Sequence, residues 1–111
     1  MALFAVLTAQ NPTGISADEF RARLPEGFAY FTQLVEKGIV THSWIRVGES
    51  GGLNIFDVSS HAELSDALYN NPLSPHLTFT VYPLAQPEDF DVDADAAAAA
   101  ARTAGSPATA G

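Results

Sequence analysis

The signature Ser-x-x-Glu occurs twice, at Ser16–Glu19 and at Ser60–Glu63, and it constrains this chain more than any other feature. In this capping box the serine hydroxyl accepts a hydrogen bond from the backbone N–H three residues on, so each copy marks where a helix starts. Between the two helices lie the alternating segments Ile39 to Val47 and Leu53 to Val58, joined by GESGG, which read as a β-hairpin. Before the first helix, the apolar run Ala2 to Gln10 ends at Asn11-Pro12 and Gly14 and reads as a buried strand. After the second, His76 to Tyr82 reads as a last strand closed by Pro83. The order β-α-β-β-α-β predicts a ferredoxin-like α+β fold, with a four-stranded antiparallel sheet and both helices on one face.

Within the first helical segment, Pro25 removes a backbone donor and clashes with the preceding turn, and Gly27 follows it. The expectation is a short helix to about Leu24 and a main helix from Glu26 to Lys37. Tyr30, Phe31, Leu34 and Val35 would form its core stripe, with Gly38 as the left-handed cap. Leu64, Ala67 and Leu68 recur at helical spacing in the second helix, which Asn71-Pro72 stops.

Residues 1–86 thus make one domain. Residues 87–111 change character: the segment is acidic and alanine-rich, with Phe90 and Val92 its only sizeable apolar side chains. Asp95 could cap a short helix there, but no apolar stripe would hold it to a core, so a flexible tail is expected. The alternative is an arm that packs on a partner through Phe90.

With 111 residues the core is modest, and pairing with a second copy would help. The open sheet face is not uniformly polar, which calls for a homodimer or higher homo-oligomer stacking sheet on sheet or closing a barrel. A net charge of −8 repels nucleic acid and anionic membrane, so neither is an expected partner. The absence of cysteine excludes disulfides and thiolate metal sites. The N-terminal MALFAVLTAQ is too short to span a bilayer and lacks a basic region and cleavage site, so a cytoplasmic location is expected.

The hairpin carries the candidate chemistry. Pairing Val47 with Leu53 across the turn sets Ile45 opposite Ile55 and Ser43 opposite Asp57 on one face. The other face then holds Arg46 beside Asn54, Trp44 beside Phe56 and His42 beside Val58. A slip of one residue would mix the two sets.

The pattern HSWIRVGESGGLNIFDVSSHAEL, followed by NNPLSPHLTFTVYPLA, resembles the muconolactone Δ-isomerase family. The features shared are Gly38, His42-x-Trp44, Gly48, Phe56-Asp57-Val58, Glu63-Leu64 and Pro72-Leu73-x-Pro75, covering roughly residues 38–85. The resemblance implies a dimeric α/β barrel of ferredoxin-like subunits and cofactor-free isomerisation of a small unsaturated lactone bearing a carboxylate. This chain departs from the pattern where Ile45 follows the tryptophan in place of an arginine, with Arg46 displaced by one residue. It departs also around Gly27 and Phe28, and in PLAQPEDF, which lacks a basic residue. Such a pocket is expected to take a less charged, more apolar substrate.

The expected reaction is a cofactor-independent isomerisation or cyclisation of a small conjugated carbonyl or lactone compound, in specialised metabolism. A proton would be abstracted beside a carbonyl and returned elsewhere. His42 is the first proton-transfer candidate, because imidazole both takes and returns a proton near neutral pH. His76 and Glu26 are the other two. Trp44, Arg46, Phe28, Asn54, Phe56 and Tyr82 are expected to bind substrate, Arg46 through its planar fork, although a pairing of Arg46 with Glu49 is an equal reading. Asp57 is expected to cap the second helix, and His76 and Tyr82 to share a face of the last strand with Thr78 and Thr80. The three histidines lack metal-ligand spacing, and no phosphate loop, nucleophile elbow or nucleotide fingerprint is present. Two other readings of the same barrel are a cofactor-free monooxygenase and a non-catalytic binding or assembly protein.

Overall fold

The computed structural model describes residues 2–87. The expected tail over 88–111, with Phe90 and Asp95, lies outside the described residues. Four strands, β1 (Ala2–Gln10), β2 (Val40–Ile45), β3 (Gly52–Val58) and β4 (Leu77–Leu84), form one antiparallel sheet in the order β2-β3-β1-β4. Two helices, α1 (Ala17–Glu36) and α2 (His61–Tyr69), and a 3-10 turn, Ser74–His76, connect them. This is the ferredoxin-like α+β arrangement.

Alternation within the strands sorts the sheet into two faces. Phe4, Val6, Asn54, Phe56 and Val58 are buried against the helices. Their alternates Leu3, Ala5, Leu7, Leu53, Ile55 and Asp57 are only partly covered. Leu34 of α1 and Leu64, Ala67 and Leu68 of α2 complete the core, with Tyr30 and Phe31 packed against it. Val35, expected in the core stripe, is exposed.

Both serine N-caps form. Glu19 N–H donates to Ser16 Oγ at 3.0 Å and Glu63 N–H to Ser60 Oγ at 3.1 Å. Asp57 therefore does not cap α2, and its Oδ1 is buried without a hydrogen-bond partner among the described residues. α1 ends in a Schellman motif, with Gly38 N–H donating to Val35 O and Ile39 N–H to Leu34 O, Gly38 holding φ 75°.

The expected break of α1 at Pro25 does not occur; the helix runs through it. A proline inside a helix costs about 3 kcal/mol. Packing on both sides offsets that cost, since Phe20 before it and Gly27 and Leu34 after it are all buried. Gly27 is required by a close approach: a Cβ there would lie 2.3 Å from Leu73 Cδ1.

The hairpin register also differs from expectation. Ile45 pairs with Gly52, Trp44 with Leu53, Ser43 with Asn54 and His42 with Ile55, and an irregularity between Val40 and His42 restores Val40 opposite Phe56. The pairing is shifted by three residues from the expected one, an odd number, so the two sets exchange partners. The cause is the turn. Arg46 has already left the strand, and Gly48 and Gly51 take positive φ of 92° and 99°. At Gly51 a Cβ would stand 1.7 Å from Thr8 O, so this turn folds down onto β1 as only glycine permits.

β4 begins at Leu77 and extends to Leu84, later at both ends than expected. Pro83 is tolerated because β4 is an edge strand, whose outer side needs no donor. His76 belongs to the 3-10 turn and not to the strand.

Candidate active site

A cavity of about 400 Å³ lies between the covered face of the sheet and α1. Leu24, Gly27, Phe28, Phe31 and Leu34 line it from the helix, spaced so that one stripe of α1 faces inward. Thr8, Gln10, Ser43, Asn54, Phe56 and Phe79 line it from the sheet, and Leu73 and Leu77 close one end. Trp44 and Ile45 reach it from the end of the edge strand β2. Its mouth is apolar and exposed: Phe28, Trp44 and Ile45 are 63 %, 52 % and 88 % accessible.

Asn54 is the polar centre of this cavity. It sits in the middle of β3, paired with Val6 on one side and Ser43 on the other, and is only 8 % accessible. Its side-chain amide has no hydrogen-bond partner among the described residues. The amide faces the cavity and is available to a ligand. Asn71, also on the wall, is already engaged, its Oδ1 accepting from Leu73 N–H at 2.8 Å.

Four of the nine expected site residues line this cavity: Phe28, Trp44, Asn54 and Phe56. The other five do not. His42 stacks on Trp44, ring centroids 5.7 Å apart at an interplanar angle of 12°, and its register partner Ile55 is on the open face. Its Nδ1 lies 3.1 Å from Thr41 Oγ1. Arg46 pairs with Glu49 at the hairpin end, and does not stand beside Asn54. Tyr82 is on the open face with Thr78 and Thr80, in register with Ala5. Glu26 is exposed on α1. His76 is half-buried between the lining residues Leu73 and Leu77, its ring edge-on to Phe20 at 6.2 Å, and its Nδ1 is buried with no partner among the described residues. The expected wall of His42, Trp44 and Arg46 with Phe56 thus does not form as one surface.

Sequence reasoning missed Thr8, Gln10, Ser43 and Phe31 as lining residues. A signal for Thr8 and Gln10 was present, because β1 turns polar only at its end.

The match to known proteins is consistent along the chain. A family model described as muconolactone Δ-isomerase matches residues 2–89. Muconolactone Δ-isomerase 1 of Acinetobacter lwoffii is 40 % identical over 70 residues, spanning 63 % of this chain and 70 % of that protein. The muconolactone Δ-isomerase of Cupriavidus pinatubonensis is 40 % identical over 70 residues, spanning 63 % and 73 %. A crystal structure of muconolactone isomerase superposes with a TM-score of 0.69 at 23 % identity, covering 80 % of this chain and 94 % of that one. A 5-chloro-2-hydroxyhydroquinone dehydrochlorinase from Burkholderia phenoliruptrix, solved with 2,5-dihydroxybenzoquinone, superposes at 0.56 with 16 % identity, covering 80 % and 99 %. At these identities the two structures share the fold with this chain.

Proposed function

The chain belongs to the muconolactone Δ-isomerase family and is an isomerase, and from that premise we propose that it moves a double bond in a small conjugated carbonyl or lactone compound held in the cavity beneath α1. The reaction needs no cofactor. A C–H bond next to the carbonyl breaks, its electron pair passes to the carbonyl oxygen as an enolate, and a proton is returned at the far end of the conjugated system. The observation that carries this reading is the amide of the buried residue Asn54, which has no hydrogen-bond partner among the described residues and faces a largely apolar cavity. Its N–H is a donor for the carbonyl oxygen, and it gains strength as negative charge collects there. Phe28, Phe31 and Phe56 supply flat apolar walls, with Trp44 at the rim, which exclude water and hold an unsaturated ring.

For the proton carrier, His76 has the strongest geometric support among the three expected groups. It is flanked in sequence by the lining residues Leu73 and Leu77 and its Nδ1 lacks a partner among the described residues, whereas His42 and Glu26 are exposed; since it does not line the cavity, its ring must turn toward the substrate to carry the proton. The active form is a homodimer, stacked through the open face of the sheet, where Leu3, Leu7, Leu53 and Ile55 are only partly covered. Residues 2–86 carry fold and function in this reading, and the tail is dispensable. No helix among the described residues is long and apolar enough to cross a membrane, which fits an enzyme working on a small diffusible molecule.

The test is turnover in heavy water. A panel of β,γ-unsaturated lactones and cyclic enones, followed by NMR, should show the double bond shifting and solvent deuterium entering at the carbon that is reprotonated. A shift without deuterium would mean that one shielded base carries the same proton across, whereas neither a shift nor exchange of the α-hydrogen in any member of the panel would sink the enolate mechanism.

A further inference from the structure

The cavity that serves isomerisation in the reading above has a second property: among the described residues, its wall carries no Lys, Arg, His, Asp or Glu. The cations of this region are engaged or remote. Arg46 leaves β2 one residue after Ile45 and is paired with Glu49, Arg21 pairs with Asp18 on the exposed side of α1, and Arg23 and Lys37 are exposed on or just after that helix without lining the cavity. A carboxylate entering this space would shed its water and meet aromatic and aliphatic surface with only neutral donors, of which Asn54 is the one nine-tenths buried. Burial of an ion without a counter-ion is disfavoured far more than burial of a neutral carbonyl, which one amide N–H satisfies. The net charge of −8 adds long-range repulsion of any anion approaching the mouth.

We propose that the substrate is an uncharged conjugated carbonyl compound, bearing no carboxylate, and that Ile45 is the residue that enforces this. Ile45 stands at the mouth in register with Gly52, so no side chain opposes it across the strand pair, and it presents an apolar group where an ionic arm of a ligand would emerge. A volume of about 400 Å³ is at the lower end of the range for sites that enclose an organic ligand, about 300–1,000 Å³. It suits a compact planar ring system without an ionised appendage.

The chain contains a single tryptophan, Trp44, and it lines this cavity, so intrinsic fluorescence reports occupancy directly. The probes are an unsaturated γ-lactone with a carboxymethyl arm and its methyl ester, which differ chiefly in charge. The ester is expected to perturb Trp44 emission at a concentration at least about tenfold lower than the acid. In Ile45→Arg the acid should gain about tenfold while the ester changes less than about twofold, through a charge-assisted contact at the mouth. Because Ile45 is 88 % accessible, the substitution leaves the core intact. Should that variant misfold, the acid–ester pair on the wild-type protein still decides. Equal binding of acid and ester overturns the charge selection while leaving the cavity as the site. Binding of neither probe overturns both this inference and the functional reading on which it rests.

Discussion

The two faces of the sheet are built from the same strands, yet their alternate residues meet different fates. On the covered face Phe4 pairs with Phe56 and Val6 with Asn54, and all four are buried. On the open face Leu3, Ala5, Leu53 and Ile55 stay partly exposed, alongside His42 of the edge strand, while Trp44, stacked on His42, also reaches the rim of the cavity. The covered face contains both the core and the cavity. The open face collects the residues whose chemistry is most conspicuous in the sequence, His42 and Tyr82, and they do not line the cavity. Side-chain chemistry names candidates, but the parity of the register decides which face they reach, and so whether they meet a substrate.

The largest effect that could break this comparison is on stability. Phe4→Ala should cost about 3–5 kcal/mol in urea unfolding, through lost transfer energy and a residual cavity. Ile55→Ala, one strand over on the other face, should cost under about 1 kcal/mol at high dilution, because its surroundings already collapse into solvent. At micromolar concentration the same variant should lower stability further, and sedimentation should show a weakened dimer, if a second copy covers that face. Equal, concentration-independent losses for both variants would mean that the open face is packed within the single chain.

Next in size is the effect on turnover. Asn54→Leu should lower kcat by roughly 10²–10³, the usual loss when a donor to a developing oxyanion is removed. Its stability should hold, because the side-chain amide makes no hydrogen bond to a described residue and gives way to an apolar group of similar size. His42→Ala, on the open face, should retain most of the activity. If the histidine variant fell as far as the asparagine variant, the site would have to include the open face and the division drawn above would be wrong.

The contrast also explains what was legible beforehand. Caps and breaks are local, so Ser16, Ser60 and Gly38 announced the helix ends directly, and β1 was bounded correctly by Gln10 and Asn11-Pro12. Pro25 misled because its local penalty is outweighed by tertiary packing of Phe20 and Leu34, which no single window reveals. The hairpin register was illegible for a similar reason. Two left-handed glycines, one of them pressed against Thr8 O, together with the irregularity near Thr41, displace the pairing by three residues. Trp44, Phe28, Asn54 and Phe56 were nevertheless identified as lining residues. Large aromatics and a lone amide in a strand are conspicuous whichever register is assumed, but the company they keep is not.

The smallest expected effect concerns the seam between the helices that roof the covered face. Tyr30 on α1 donates its hydroxyl to Ala67 O of α2 at 2.8 Å. Burial, with the Asp66 carboxylate adding to it, raises the hydroxyl above its ordinary value of 10.0. The folded state thus prefers the neutral phenol, which can donate, to the phenolate, which cannot. A group whose value is raised on folding contributes stability that is complete below the unfolded value and is lost as the pH climbs through the folded one. Urea midpoints of the wild-type protein should accordingly be flat up to about pH 9 and decline beyond pH 10. Tyr30→Phe should cost about 0.5–1.5 kcal/mol at pH 8, from the lost hydrogen bond, and should show a shallower alkaline decline. An alkaline slope unchanged in Tyr30→Phe would place the titration elsewhere, and the α1–α2 seam would then hold by packing alone.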